Sequence, residues 1–291
     1  MLIDTHVRPV LYEPICTDTD RFQRRCDEMN FHKMKPTSID LLRKQYSLAD
    51  MRYAVLIPED CSAQSGMVEI SNDEIYQIVS CASDFFIGLA SVDPRRSDAG
   101  NQLQRAFGEL GLAGLALNTT RLKMYPNDPR IIRLVEICRD FDKPVVFHAG
   151  FCLEAGSITK FAYPMEFEEV IANNPSVKFC LAHFGWPWVQ ETAALLLKYD
   201  NAYANTALMN FDGPYQLLSR VFERDMDLTW IENNISQKVM FGSDAPRVRP
   251  VRSKRGMDAI PFSEGTREQI YWKNAVKFFG LGRTRDAVSN D

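Results

Sequence analysis

The chain has 291 residues, 45% of them apolar and 25% charged, with 34 basic against 38 acidic residues and a net charge of −4. That balance argues against nucleic acid as a partner, since phosphate binding wants a basic excess; no apolar run reaches the roughly 18–20 residues of a membrane span, and the opening MLIDTHVRP lacks the leader and apolar core of a secretory signal. Seven cysteines with no CxxC pair indicate neither a disulfide framework nor a four-cysteine zinc knuckle, so a reduced, cytoplasmic protein is expected.

Along the chain, short apolar runs alternate with helical patterns. The first run is Leu2–His6. A long stretch then carries two predicted helices, near Asp18–Met29 and Ser38–Gln45, before the second run at Tyr53–Pro58. A connection of that length often serves as a lid, and equally often is a decorative insertion. Ile75, Ile78, Val79 and Ala82 have helical spacing, and Phe85–Val92 follows. Leu103, Phe107 and Leu110 form the next helical face, with Asp98 as its expected cap, ahead of the run Leu112–Asn118. Ile131, Leu134, Val135 and Cys138 lie on one helical face behind Asp128-Pro129, a cap with proline at the first helical position. The remaining runs are Pro144–Gly150, Lys178–Gly185, Ala202–Leu208 and Val239–Asp244.

Eight nearly continuous apolar runs read as strands buried on both faces, and strand–helix alternation implies a parallel sheet. The predicted fold is α/β: a single (β/α)8 TIM barrel over residues 1–291, with a long, partly helical insertion after strand 1. The competing open doubly wound sheet would prefer a GxGxxG turn after the first strand, and none is present.

Three of the four histidines, His6, His148 and His183, fall at predicted strand ends, as does Asp244. In a barrel those ends open on one mouth. A single histidine there is more often a packed core residue; three together with an aspartate make a candidate site. Imidazole and carboxylate are the ligands of a divalent ion such as zinc, which lowers the pKa of its water to about 7.

The segments LIDTH, PVVFHAG, PSVKFCLAHFGWPW, NAYANTA, VMFGSDAP and NAVKFFGL occur in this order. In them the sequence resembles the amidohydrolase superfamily, in particular the branch of aminocarboxymuconate-semialdehyde decarboxylase, resorcylate-type decarboxylases and pyrone-dicarboxylate lactonase. The likeness runs over nearly the whole chain. It implies a TIM barrel with one zinc or other divalent ion held by His6, His148 and Asp244, and no organic cofactor. Two departures stand out. The family's first-strand His-x-His is His6-Val7-Arg8 here, and Gly114–Asn118 on strand 4 offers no lysine to bridge two metals. A binuclear hydrolase is therefore not expected, and a mononuclear or a metal-free site remain the two choices.

Arg8, Arg121 and Arg247 are the candidates to hold substrate carboxylates, guanidinium being a bidentate partner for them. Strand alternation puts Arg8 on the same face as His6; the alternative is an outward pair with Glu13 or Asp18. Cys152 and Glu154 follow His148 as a candidate nucleophile and acid, or as a filler and a surface carboxylate. Trp186 and Trp188 suit a wall for a planar ring, or plain packing. Asn205 and Thr206 suit substrate hydrogen bonding, or neighbouring polar groups. Lys254 and Arg255 read as a solvated face.

The preferred activity is hydrolysis of a small carboxylated substrate such as a lactone, with Asp244 and His183 catalytic: Asp244 moves the proton and His183 steadies the oxyanion. The alternatives are non-oxidative decarboxylation of a carboxylated aromatic or muconate-like acid, and a non-catalytic barrel that binds an anionic metabolite. The expected partner is a small anionic substrate, without nucleic acid or membrane, and a homo-oligomer is compatible with the sequence.

Overall fold

Each of the eight predicted runs overlaps a strand: β1 Leu2–Val7, β2 Met51–Leu56, β3 Phe86–Gly88, β4 Leu115–Leu117, β5 Val145–Phe147, β6 Phe179–Leu181, β7 Ala202–Asn205 and β8 Val239–Met240. The computed structural model describes residues 1–281 apart from 29–30, 32–33, 67, 210–212 and 214. Met29, at the end of the first predicted helix, lies outside the described residues. The strands pair in parallel in chain order, β1–β2–β3 and β4 through β8. Parallel bridges Ala90↔Leu115 and Val7↔Ala245 join the two arcs into a closed barrel. A short antiparallel pair, Glu59–Asp60 with Val68–Ile70, follows β2.

Both faces of the strands are buried, which explains the continuous apolar runs. Each strand contributes one residue to the barrel interior: Ile3, Val55, Ile87, Ala116, Val146, Cys180, Tyr203 and Met240. Ala275 and Phe278, on the closing helix Asn274–Phe279, join this cluster and plug one end. Residues of the other parity, such as Leu56, Phe86, Leu115 and Phe147, pack against the surrounding helices.

The helix starts follow local chemistry. Ser38 accepts a hydrogen bond from the Leu41 amide ahead of the helix Ile39–Ser47. Ser71 and Glu74 form a reciprocal capping box on Asn72–Cys81. Asp128 caps Pro129–Asp140 as expected, accepting from the Arg130 amide. Asp98 precedes Ala99–Gly108 but does not cap it. Its carboxylate is taken by the Arg96 guanidinium instead, at 2.9 Å through both oxygens, a charged pair that outcompetes a neutral amide.

The segment between β1 and β2 holds the helices Thr19–Glu28 and Ile39–Ser47. It is fastened to the barrel's flank: Arg25, fully buried, bonds the Ile15 carbonyl at 2.8 Å and the Glu74 carboxylate. Among its described residues only Arg8, at its very start, lines the mouth cavity. No helix among the described residues is long and apolar enough to cross a membrane.

Candidate active site

Strand alternation delivers side chains to the mouth. Val146 faces the interior, so His148, two residues on, emerges above it; Ala116 and Asn118 repeat the step. On β2 the series Val55, Ile57, Glu59 continues past Pro58 and brings Glu59 into the mouth. On β1 an irregularity in pairing between Asp4 and Val7 aims His6 the same way. Several mouth residues adopt left-handed backbone: His183 at φ 60°, Leu208 at 59° and Asp244 at 64°. Such conformations cost free energy and cluster where a side chain must be aimed.

The glycines of the H-A-G and H-F-G segments have a shared cause. Gly150 sits at φ 86°, and a Cβ there would lie 2.2 Å from the Trp186 carbonyl oxygen. Gly185 sits at φ 62°, where a Cβ would meet Thr192 Oγ1 at 2.0 Å. The loops after β5 and β6 therefore pack backbone to backbone, with the Phe151 amide donating to Trp186 O at 2.7 Å.

The four expected residues converge. His6 Nε2 lies 3.5 Å from Asp244 Oδ1. His148 Nδ1 and His183 Nε2 are 3.1 Å apart, and His183 Nδ1 is 3.0 Å from the Ala207 carbonyl. A carbonyl only accepts, so His183 carries its proton on Nδ1 and its Nε2 accepts from His148 Nδ1–H. Asn205 Oδ1 fixes the same turn by accepting from the His183 amide at 3.1 Å. Burial, helped by His148, pushes His183 down to about 3, so this imidazole is neutral. Burial, with His183 and Arg8 adding to it, also keeps His6 neutral. Burial opposes charge on His148 too, but Cys152, Glu154 and Glu59 outweigh it and push His148 up to about 9. Asp244 is pushed up to about 7 by burial, against the opposing pull of Arg8 and Arg247.

Arg8 faces the mouth, as alternation predicts, and pairs with neither Glu13 nor Asp18. Its guanidinium donates through Nη1 to Glu154 Oε1 and through Nη2 to Glu59 Oε2, with all three side chains at most 9% exposed. Arg121 Nη1 lies 3.0 Å from Glu59 Oε1. Arg247 Nη2 lies 3.0 Å from Glu154 Oε1, and its Nε is 3.6 Å from Asp244 Oδ2. The three arginines predicted to hold substrate carboxylates are thus already engaged by carboxylates of the chain itself, and of the three only Arg8 lines the main cavity. Glu154 is a buried hub, and Cys152 donates its thiol hydrogen to Glu154 Oε2 at 2.6 Å. Glu59 was not a sequence candidate; the alternation Val55, Ile57, Glu59 was its signal.

Other candidates have partners outside the main cavity. Trp188 packs edge-on against Tyr163, and Trp186 against Phe151, beside rather than inside the main cavity. Thr206 bonds the Gly242 backbone, and Lys254 pairs with Asp258 on an exposed helix face.

A family model described as amidohydrolase matches residues 3–281. The chain belongs to the amidohydrolase family. Within it, the sequence is 23% identical over 239 residues to a 2-amino-3-carboxymuconate-6-semialdehyde decarboxylase of Dictyostelium discoideum, covering 74% of this chain and 67% of that protein. An uncharacterized TIM-barrel protein from Bordetella bronchiseptica superposes with a TM-score of 0.77 at 20% identity, covering 97% of this chain and 99% of that one. A dihydroxybenzoic acid decarboxylase from Polaromonas, solved with manganese and 2-nitroresorcinol, gives 0.68 at 16% identity over 99% of each chain. The amidohydrolases with named activities among these are decarboxylases; none is a lactonase.

The mouth of this amidohydrolase does not fit a divalent ion. Among the described residues, no three His, Cys, Asp or Glu side chains group so as to hold one. The position of the family's second first-strand histidine is filled by the Arg8 guanidinium, which has no lone pair to give. The charge balance also opposes a dication. Three permanent guanidinium charges, Arg8, Arg121 and Arg247, face Glu59, Glu154 and an Asp244 pushed up to about 7, so these groups are net positive whenever Asp244 carries its proton. On this geometry His6, His148 and Asp244 do not group as the three-ligand set expected from the sequence, although decarboxylases of similar fold were solved with manganese.

Proposed function

We propose that this amidohydrolase is a non-oxidative decarboxylase of a small carboxylated aromatic or muconate-like acid. The observation that carries the reading is Asp244, a fully buried carboxyl pushed up to about 7 at the floor of a net-positive mouth. An ordinary aspartate is ionised at neutral pH and has no proton to give. This one retains a proton on a substantial fraction of molecules, as a general acid must.

The step runs as follows. Asp244 transfers its proton to the substrate carbon that bears the carboxylate. The bond from that carbon to the carboxylate then breaks, its electron pair restores the π bond that was spent on the proton, and carbon dioxide leaves. Asp244 is reprotonated from solvent. The net change is one proton in and one carbon dioxide out, with no redox partner. The neutral His183, locked into one tautomer by the Ala207 carbonyl, positions His148. The positive mouth attracts the anionic substrate and orients its carboxylate. The named relatives support this reading over the lactonase preferred from sequence.

The test is a panel of carboxylated aromatic and muconate-like acids incubated in D2O, with carbon dioxide release measured alongside NMR of the product. The expected result is carbon dioxide together with one solvent deuteron at the vacated carbon, both abolished by Asp244→Asn. Ring opening of a carboxylated lactone without carbon dioxide would return the hydrolase reading. Binding of acids with no turnover at all would favour a non-catalytic barrel.

A further inference from the structure

The cavity at the mouth is small. Its volume is about 30 Å³, room for a water or two, whereas small-molecule sites run to roughly 300–1,000 Å³. Leu153 and Glu154 form part of its wall. A ring-bearing acid cannot enter until the segment carrying them moves.

That segment is lightly held. Its backbone bonds out to its surroundings at Phe151 and again at Ile158, whose amide donates to Thr120 O at 3.0 Å; between them, Ser157 bonds back to Glu154 and Cys152. Its large apolar side chains, Phe151 and Leu153, are 38% and 44% exposed, so swinging outward gives up little burial. Gly150 is pinned against Trp186, while Gly156, left-handed at φ 74°, has open space around it. The strongest tie is Glu154, whose Oε1 accepts from both Arg8 and Arg247.

Two arginines on one carboxylate oxygen, Arg8 at the cavity wall and Arg247 with its Nε 3.6 Å from Asp244 Oδ2, describe how a substrate carboxylate would be held. We propose that Arg8 and Arg247 form the binding site for the substrate's carboxylate, and that Glu154 is its resident occupant, displaced when an acid binds. The inference rests on reading the mouth as the site of a carboxylated substrate, and it names the group recognised: a monoanionic carboxylate on a planar ring. Glu154 is tethered, so it competes at a high effective concentration and weakens binding of any free acid. It also keeps two buried guanidiniums paired while the site is empty, which an unpaired buried charge would not tolerate.

The experiment measures binding rather than turnover. Benzoate, with benzyl alcohol as a neutral control, is titrated by calorimetry into the wild-type protein, Glu154→Gln, and Glu154→Gln combined with Arg247→Ala. Glu154→Gln keeps shape and removes charge; it is expected to bind benzoate about tenfold more tightly or better, with benzyl alcohol unchanged. Adding Arg247→Ala is expected to cancel the gain. Glu154→Asp retains the charge on a shorter arm, and covers the case in which the glutamine variant unfolds; it is expected to give a smaller gain in the same direction. Benzoate affinity unchanged or lowered in a folded Glu154→Gln or Glu154→Asp protein overturns the proposal. A gain in benzoate affinity with no carbon dioxide released from the panel of acids would uphold this carboxylate site while removing the proposed reaction, so the two failures are distinct.

Discussion

Replacing Arg8 by alanine tests the electrostatic reading of the mouth most directly. Arg8 is 7% exposed and bridges two buried carboxylates, Glu59 and Glu154. Removing one partner of a buried ion pair costs about 3–5 kcal/mol, because the other charge stays behind in a poorly solvating site. Neither carboxylate is wholly orphaned here: Glu59 keeps Arg121 at 3.0 Å, and Glu154 keeps Arg247 at 3.0 Å. The expected loss therefore sits at the lower end, about 3 kcal/mol. Equilibrium urea unfolding of wild type and Arg8→Ala reads it out, with unchanged m-values as the check that both transitions report the same unfolding.

A double-mutant cycle isolates the pair. Arg8→Met and Glu154→Gln each remove one charge at nearly constant volume, and the double variant removes both. A coupling of about 1–3 kcal/mol is expected, since the groups touch and share partners. Coupling below about 0.5 kcal/mol, with Arg8→Ala within about 1 kcal/mol of wild type, would refute the argument that Arg8 is held as a buried, carboxylate-compensated cation.

Other consequences follow from the same geometry. Arg8→His restores a second imidazole beside His6; after loading with manganese or zinc and desalting, that variant should retain metal by elemental analysis while wild type stays far below one ion per chain, and a stoichiometric ion in wild type would sink the charge argument. Gly150→Ala must place a Cβ 2.2 Å from the Trp186 carbonyl at φ 86°, an expected loss of about 2–5 kcal/mol in urea unfolding, whereas Gly156→Ala, strained in φ but with open space, should lose only about 1–2 kcal/mol. Asp4, buried and bonded to Ser243, is raised by burial from the ordinary 3.8 to about 6. A raised carboxyl stabilises the fold fully below the unfolded pKa and loses that contribution as pH climbs through the folded one. Between about pH 3 and 7 wild type should therefore lose about 3 kcal/mol relative to Asp4→Asn, and parallel stability profiles would contradict the shift.

The barrel was legible because its signal is local and repeated. Each strand is a short run buried on both faces, and that burial leaves a continuous apolar stretch in the sequence. The predicted runs exceed the hydrogen-bonded strands where small residues stay buried after leaving the ladder: Ala149 and Gly150 prolong the run beyond Phe147, the last residue of β5. His6, His148, His183 and Asp244 were legible for the same reason, because a strand end fixes a direction. Glu59 was hidden behind Pro58, which reads as the end of a run although alternation continues through it. The Asp98 cap failed because Arg96, two residues away, offers a stronger bond than an amide does.

What no local pattern could show is the partnering of Arg8, whose carboxylates lie 51 and 146 residues away in sequence. Read alone, an arginine in a metal ligand's place suggests a damaged site, or a lone cation waiting for substrate. The fold supplies a third answer. A guanidinium at the mouth of a barrel is too costly to bury unpaired, so Glu59 must close on it from β2 and Glu154 from the loop after β5. Those carboxylates draw in Arg121 and Arg247 in turn, and the sum leaves an excess of positive charge beside Asp244. A metal centre and this cluster meet the same need, a fixed cation next to a buried acid, but they differ in what they can bind. A metal takes any lone pair, whereas paired guanidiniums take a planar anion that can replace Glu154 bond for bond.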